Sequence, residues 1–140
     1  MSKTKAVASV PNYELLKDAY AIIDGIPKHI INLDIIGSHG MSLSCGTICC
    51  AAGWLGHHPR FQEMGLQTVG NGLRWKGKWA NYDEAMGEVF NIPGEVAENL
   101  FGGAGYSSLD SYRPASVPIG AHKEMFLNRI RTFLQREGQL

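Results

Sequence analysis

Cys45-Gly46-Thr47-Ile48-Cys49-Cys50-Ala51-Ala52-Gly53-Trp54 brings all three cysteines of the chain, two glycines and a tryptophan into ten consecutive positions. Small residues running up to a bulky Trp54 predict a tightly packed helix from about Thr47 to Leu55, too short to hold its shape without neighbours. Ser44 or Thr47 can accept hydrogen bonds from the free amides at its start. Three chemistries fit the thiols. As unoxidised cysteines they are small buried hydrophobes. As nucleophiles, Cys49 or Cys45 would use the helix dipole, with His57, His58 or His39 as base. As ligands, Cys45, Cys49, His57 and His58 are acceptable zinc donors. Ala51, Ala52 and Gly53 favour packing, because a reactive thiol needs access. The Cys-x3-Cys-x7-His-His order lacks the flexible knuckle of structural zinc sites, and adjacent histidines rarely converge on one ion. The reading is therefore no catalytic residue and no cofactor, with the thiol enzyme and the zinc site as alternatives. Cys50 is expected to pack inward on a stripe shared with Trp54 and His57.

Outward from this segment the pattern is helical. Residues 1–11 lack periodicity, end in Val10-Pro11 and read as a mobile N-terminal arm; residues 12–140 read as a single globular domain. Asn12 caps a helix with Leu15, Leu16, Ala19, Ile22 and Ile23 on one face, stopped by Gly25 and Pro27. Residues 29–36 are apolar and β-branched, and fit either a strand or a short buried helix. Pro59 opens another short helix that ends at Gly65. Asn81 with Glu84 is a capping-box start for a helix carrying Ala85, Met86, Val89 and Phe90. Pro93 opens one with Val96, Ala97, Leu100 and Phe101. A last amphipathic helix, about Ala121 to Arg136, carries Met125, Phe126, Ile130, Phe133 and Leu134. Between residues 66 and 79, Asn71-Gly72 is the best hairpin signal. The fold class is α-rich (α+β): a small helical protein with one short β-hairpin.

If Leu73 to Trp79 is one extended strand, alternation puts Leu73, Trp75, Gly77 and Trp79 on one face and Arg74, Lys76 and Lys78 on the other. Cations in a row suit phosphates or an acidic partner, and tryptophans stack bases or fill grooves. The plainer reading is a hairpin with core tryptophans and a solvated basic face. The Gly102-Gly103-Ala104-Gly105 run is no phosphate loop, since it follows a helix and no Lys-Ser or Lys-Thr comes after it. In the long segment from 102 to 119, Tyr106, Tyr112 and Arg113 are contact candidates beside Arg74, Trp75, Lys76, Lys78 and Trp79.

The run CGTICCAAGW resembles a CGT-x-x-C-x-AGW pattern of small uncharacterised bacteriophage and bacterial proteins. Cys45 and Cys50 fall on its cysteines, Cys49 on a variable position, and Ala52, Gly53 and Trp54 on its AGW. A helix ending in Leu-Phe follows there, as Val96 to Phe101 does here. The likeness covers residues 45 to 101 and is specific over the ten-residue core. It implies a phage-type accessory protein and transfers no catalytic residue. By analogy it favours binding to a host protein, in a host-takeover or anti-defence role.

Composition sets the outer limits. The chain has 140 residues, 44% of them hydrophobic and 19% charged, enough to bury a core and inconsistent with wholesale disorder. Thirteen basic and thirteen acidic side chains cancel, so no global field favours nucleic acid or anionic membrane. No apolar run approaches the roughly 18 residues of a membrane span, and no signal peptide is evident. An odd cysteine count fits a reducing cytoplasm, the host's if the protein is phage-encoded. The expected partner is a host protein, with nucleic acid or a nucleotide as the alternative and no membrane.

Overall fold

The computed structural model describes residues 10–33, 50–69, 72–102, 107–110 and 117–140. Among them are α1 (Tyr13–Asp24), α2 (Ala51–Leu55), α3 (Pro59–Met64), β1 (Leu66–Val69), β2 (Gly72–Trp75), β3 (Lys78–Ala80), α4 (Tyr82–Phe90), α5 (Gly94–Phe101) and α6 (His122–Arg136). The α-rich α+β class holds. The expected single hairpin is instead a three-stranded antiparallel meander in the order β1-β2-β3.

Several helices begin where a side chain takes up free amides. Asn12 Oδ1 accepts from the Leu15 N–H at 3.1 Å and starts α1. The Asn81 N–H donates to Glu84 Oε1 at 3.1 Å, one half of the capping box that opens α4. His58 Nδ1 takes the Arg60 N–H at 3.1 Å ahead of α3, whose first residue is Pro59. Gly65, at φ 112°, closes that helix in a conformation that a side chain would strain. The Cys45–Trp54 segment differs from expectation at its start: α2 begins at Ala51, and Cys50 itself caps it, Sγ accepting from the Gly53 N–H at 3.4 Å. Ser44 and Thr47 lie outside the described residues.

One buried cluster draws residues from every helix and from β1 and β2, with Ala80 of β3 packed against it. α1 packs on α6, α4 on α5 and β2, and α5 on α6. Four phenylalanines link α3, α4, α5 and α6 in a line: Phe61 to Phe90 at 5.9 Å, Phe90 to Phe101 at 5.6 Å, and Phe101 to Phe126 at 5.2 Å between ring centres. Offset and tilted rings at this spacing add to the area they bury. Of the segment read as strand or helix, Lys28–Ile30 forms a single 3-10 turn, with Ile31 and Leu33 buried behind it. Residues 34–36 lie outside the described set. Val10 and Pro11, assigned above to a mobile arm, are fastened at the end of α4. Asn91 Nδ2 donates to the Val10 carbonyl at 3.0 Å, and the Asn12 N–H to that of Phe90 at 2.8 Å.

Two buried polar side chains sit on α6. Arg129 donates from Nε to Asp110 Oδ2 at 2.8 Å and from one terminal nitrogen to the Gly102 carbonyl at 2.9 Å. His122 Nδ1 accepts from the Leu33 N–H at 2.9 Å, which leaves Nε2 to carry the proton facing the Val117 carbonyl at 3.2 Å.

The sheet is held on its β1 side by the turn after α2. The Thr68 N–H donates to the Gly56 carbonyl at 3.3 Å, and Thr68 Oγ1 donates to that of Gly53 at 2.6 Å. A Cβ at position 56 would stand 2.1 Å from Thr68 Oγ1 and 2.8 Å from Thr68 N, so only glycine allows this approach. Gly56→Ala is expected to cost about 2–3 kcal/mol through overpacking and loss of the edge bond, read as a fall in the urea midpoint at unchanged slope.

Candidate functional site

The two-residue connection between β2 and β3 decides which side chains meet. Lys76 at φ 52° and Gly77 at φ 85° are both left-handed, as a type I′ turn requires. The chain therefore reverses after Trp75, and the register pairs Trp75 with Lys78, Arg74 with Trp79 and Leu73 with Ala80. This corrects the reading of Leu73 to Trp79 as one strand. Trp79 shares its face with Arg74, and Trp75 shares the opposite face with Lys78.

The cations do not form a row. The Arg74 guanidinium lies over the Trp79 ring, 5.2 Å from its centre, and donates to the Gly77 carbonyl. Its Nε is buried with no acceptor among the described residues. Lys76 Nζ stands over the other tryptophan, 5.2 Å from the Trp75 ring centre, and lines a polar hollow with Asp83, Glu84 and Glu88 of α4. Lys78 is exposed.

The tryptophans part company as well. Trp75 is 9% exposed and donates from Nε1 to Glu88 Oε1 at 2.9 Å, which places it in the core with its polar atom satisfied. Trp79 is 63% exposed, against the expectation of a core residue. Its six-membered ring lies over Gly72 of β2, where an added Cβ would come within 3.1 Å. The missing side chain of Gly72 lets the indole settle on the strand. Gln67 pairs with Arg74 across β1 and β2, and Val69, 46% exposed, pairs with Gly72. Gln67, Val69, Arg74 and Trp79 thus share the solvent face of the sheet, with Trp79 and Arg74 at its centre. The sequence named both residues but placed them on opposite faces. Gln67 and Val69 carried no signal beyond alternation.

The cysteine and histidine readings have fewer described parts. Cys45, Cys49 and His39 lie outside the described residues, as do Tyr106, Tyr112 and Arg113. Cys50 is 2% exposed at the head of a five-residue helix. It lies near Tyr82, whose hydroxyl is pushed to a higher pKa by burial, with Glu98, Asp83 and Cys50 adding to the rise. His57 meets the edge of Trp54, ring centres 5.9 Å apart, and Trp54 Nε1 donates to the Ile30 carbonyl at 2.9 Å. His57 and His58 line a shallow hollow with Trp54, Ile22 and Ile26. Burial there lowers the His57 pKa from its ordinary 6.5. His58 spends Nδ1 on the α3 cap, so the adjacent imidazoles have separate duties. Among the described residues no group of three or more histidine, cysteine or carboxylate side chains is placed to hold a metal ion.

Compared with protein-family models, curated proteins and solved structures, the chain matches none. No described helix is long and apolar enough to cross a membrane.

Two outcomes follow from this geometry. Trp75→Ala is expected to cost about 3–5 kcal/mol of stability and Trp79→Ala about 1 kcal/mol or less, compared by chemical denaturation. The folded protein holds the His57 proton less tightly than the unfolded chain does. The stability His57 contributes is therefore whole above the unfolded value, near 6.5, and is lost as pH falls through the lower folded value. His57→Gln should flatten the fall in stability as pH drops below the unfolded value near 6.5, measured by denaturation at each pH.

Proposed function

We propose that this protein is a non-catalytic binding protein that docks a protein partner on the solvent face of its sheet. The observation that carries this reading is Trp79, a large aromatic 63% exposed and seated on Gly72 with Arg74 against its ring. Tryptophan and arginine dominate binding energy at protein interfaces, and a ring already held in place loses little freedom on docking. Val69 and Gln67 extend the patch with one apolar and one hydrogen-bonding side chain. With the phage-type resemblance of the Cys45–Trp54 segment, the partner is a bacterial host protein. The role is that of an accessory factor in host takeover or in countering host defence, acting in the host cytoplasm.

The alternatives rest on less. A nucleic-acid site built from Arg74, Lys76 and Lys78 has its cations divided between the two sides of the hairpin, with Lys76 beside the carboxylates of α4. For a thiol enzyme, the described thiol is the buried Cys50.

Capture from a bacterial lysate by the immobilised protein tests the reading. Trp79→Ala and Arg74→Ala should each weaken the captured complex by at least about tenfold. Gln135→Ala, exposed on α6, should leave it unchanged. Retention of full affinity by Trp79→Ala would move the interface elsewhere. Tight binding of a single-stranded oligonucleotide, lost at high salt, would replace the protein partner with nucleic acid.

A further inference from the structure

β3 ends the sheet on a side that no described strand pairs with. The Lys76–Gly77 turn makes Trp75 and Lys78 the hydrogen-bonded closing pair, so Arg74 and Trp79 form the next, non-hydrogen-bonded pair. Trp79 therefore turns its N–H and C=O away from β2. Among the described residues no bond outside the ladder uses either group. The same alternation holds on the far side of the sheet. It aims the Thr68 N–H away from β2, where the Gly56 carbonyl accepts it, and it continues the β1–β2 ladder into the Lys76 N–H bond to the Gly65 carbonyl at 2.8 Å. Among the described residues one edge is closed and the other is open.

We propose that β3 pairs with β3 of a second copy of this chain, antiparallel about a two-fold axis at Trp79. In that register the outward N–H of each Trp79 meets the outward C=O of Trp79 in the second copy, so one residue supplies both halves of a closed pair. Lys78 falls opposite Ala80 of the second copy, and no like charges face each other. The strands also match in length, Lys78–Ala80 against Lys78–Ala80. A formal net charge of zero places no long-range repulsion between copies. The two Trp79 side chains become cross-strand neighbours on the solvent face, where aromatic pairs are favourable. Edge pairing leaves that face open, giving a six-stranded sheet with two patches side by side. The proposal does not depend on the host-partner reading.

Sedimentation of the purified protein from about 10 µM to about 1 mM, with hydrogen exchange of the Trp79 amide at both ends of the range, tests it. Trp79→Pro deletes the outward N–H at an edge position that tolerates proline, whereas Trp79→Ala keeps it. The expected result is a reversible dimer in which the Trp79 amide exchanges more slowly at high concentration. Trp79→Pro should weaken it at least about tenfold, and more than Trp79→Ala does. Should Trp79→Pro fail to fold, the exchange rate of the unaltered protein decides alone. A monomer throughout, or a dimer whose Trp79 amide exchanges equally fast at both concentrations, overturns the proposal. So does protection of that amide only by a strand of a different protein.

Discussion

The Arg129 side chain is wholly out of solvent, and a guanidinium in that position must find its partners or cost several kcal/mol. It finds the Asp110 carboxylate and the carbonyl of Gly102, the residue that ends α5. Both lie far from Arg129 in sequence, so satisfying one side chain of α6 fixes the end of α5 and the turn at 107–110 together. Ser107 completes that turn, donating to the Asn99 carbonyl at 2.7 Å. With the end of α5 in place, Phe101 stands between Phe90 and Phe126, and the line of rings closes. His122, one end of α6 away, fastens Leu33 in the same manner. The apolar core and its polar clamps are therefore one arrangement.

The sheet attaches to this body by its buried face. Leu66, Leu73 and Trp75 turn inward, and the Trp75 bond to Glu88 fixes β2 against α4. Gly56 and Gly53 receive β1 on the other flank. What remains for solvent is decided by these attachments: the outward face of a short meander whose inner face is committed. A tryptophan left there is not an unfilled core position, because Trp75 already occupies the core on the strand beside it.

Much of the helical framework was legible in the sequence because its signals are local. Asn12, the Asn81–Glu84 pair and Pro59 with Gly65 are local signals, and the apolar periodicity of α1 and α6 names most of the buried residues. Ile22 and Met125 are only partly buried, though, and the buried Leu127 was not named. The meander was misread at one step. Lysine rarely adopts positive φ, so Lys76-Gly77 gave a weaker turn signal than Asn71-Gly72. A two-residue reversal pairs odd positions with even ones, so alternation carried past it put Trp79 on the wrong face. Arg129 was hidden for another reason. A helical arginine looks solvated until its carboxylate is known, and Asp110 lies 19 residues away in a segment without periodicity. Cys50 as a cap was likewise out of reach, since serine and threonine nearby are the stronger candidates by residue type.

The packing of α1 on α6 has a consequence for how the chain acquires its structure. Tyr13 Oη donates to Glu137 Oε1 at 2.7 Å, across 124 positions of sequence. On a ribosome α1 is made well before α6, the helix it contacts most. The meander, whose strands follow one another within a few residues, closes its contacts as soon as it emerges, and α4 and α5 can join it directly. α1 can meet α2 and α4 as they emerge, but its contact with α6 must wait until that helix has left the exit tunnel. The packing of α1 is thus completed only when α6 arrives, and until then part of its apolar face stays open.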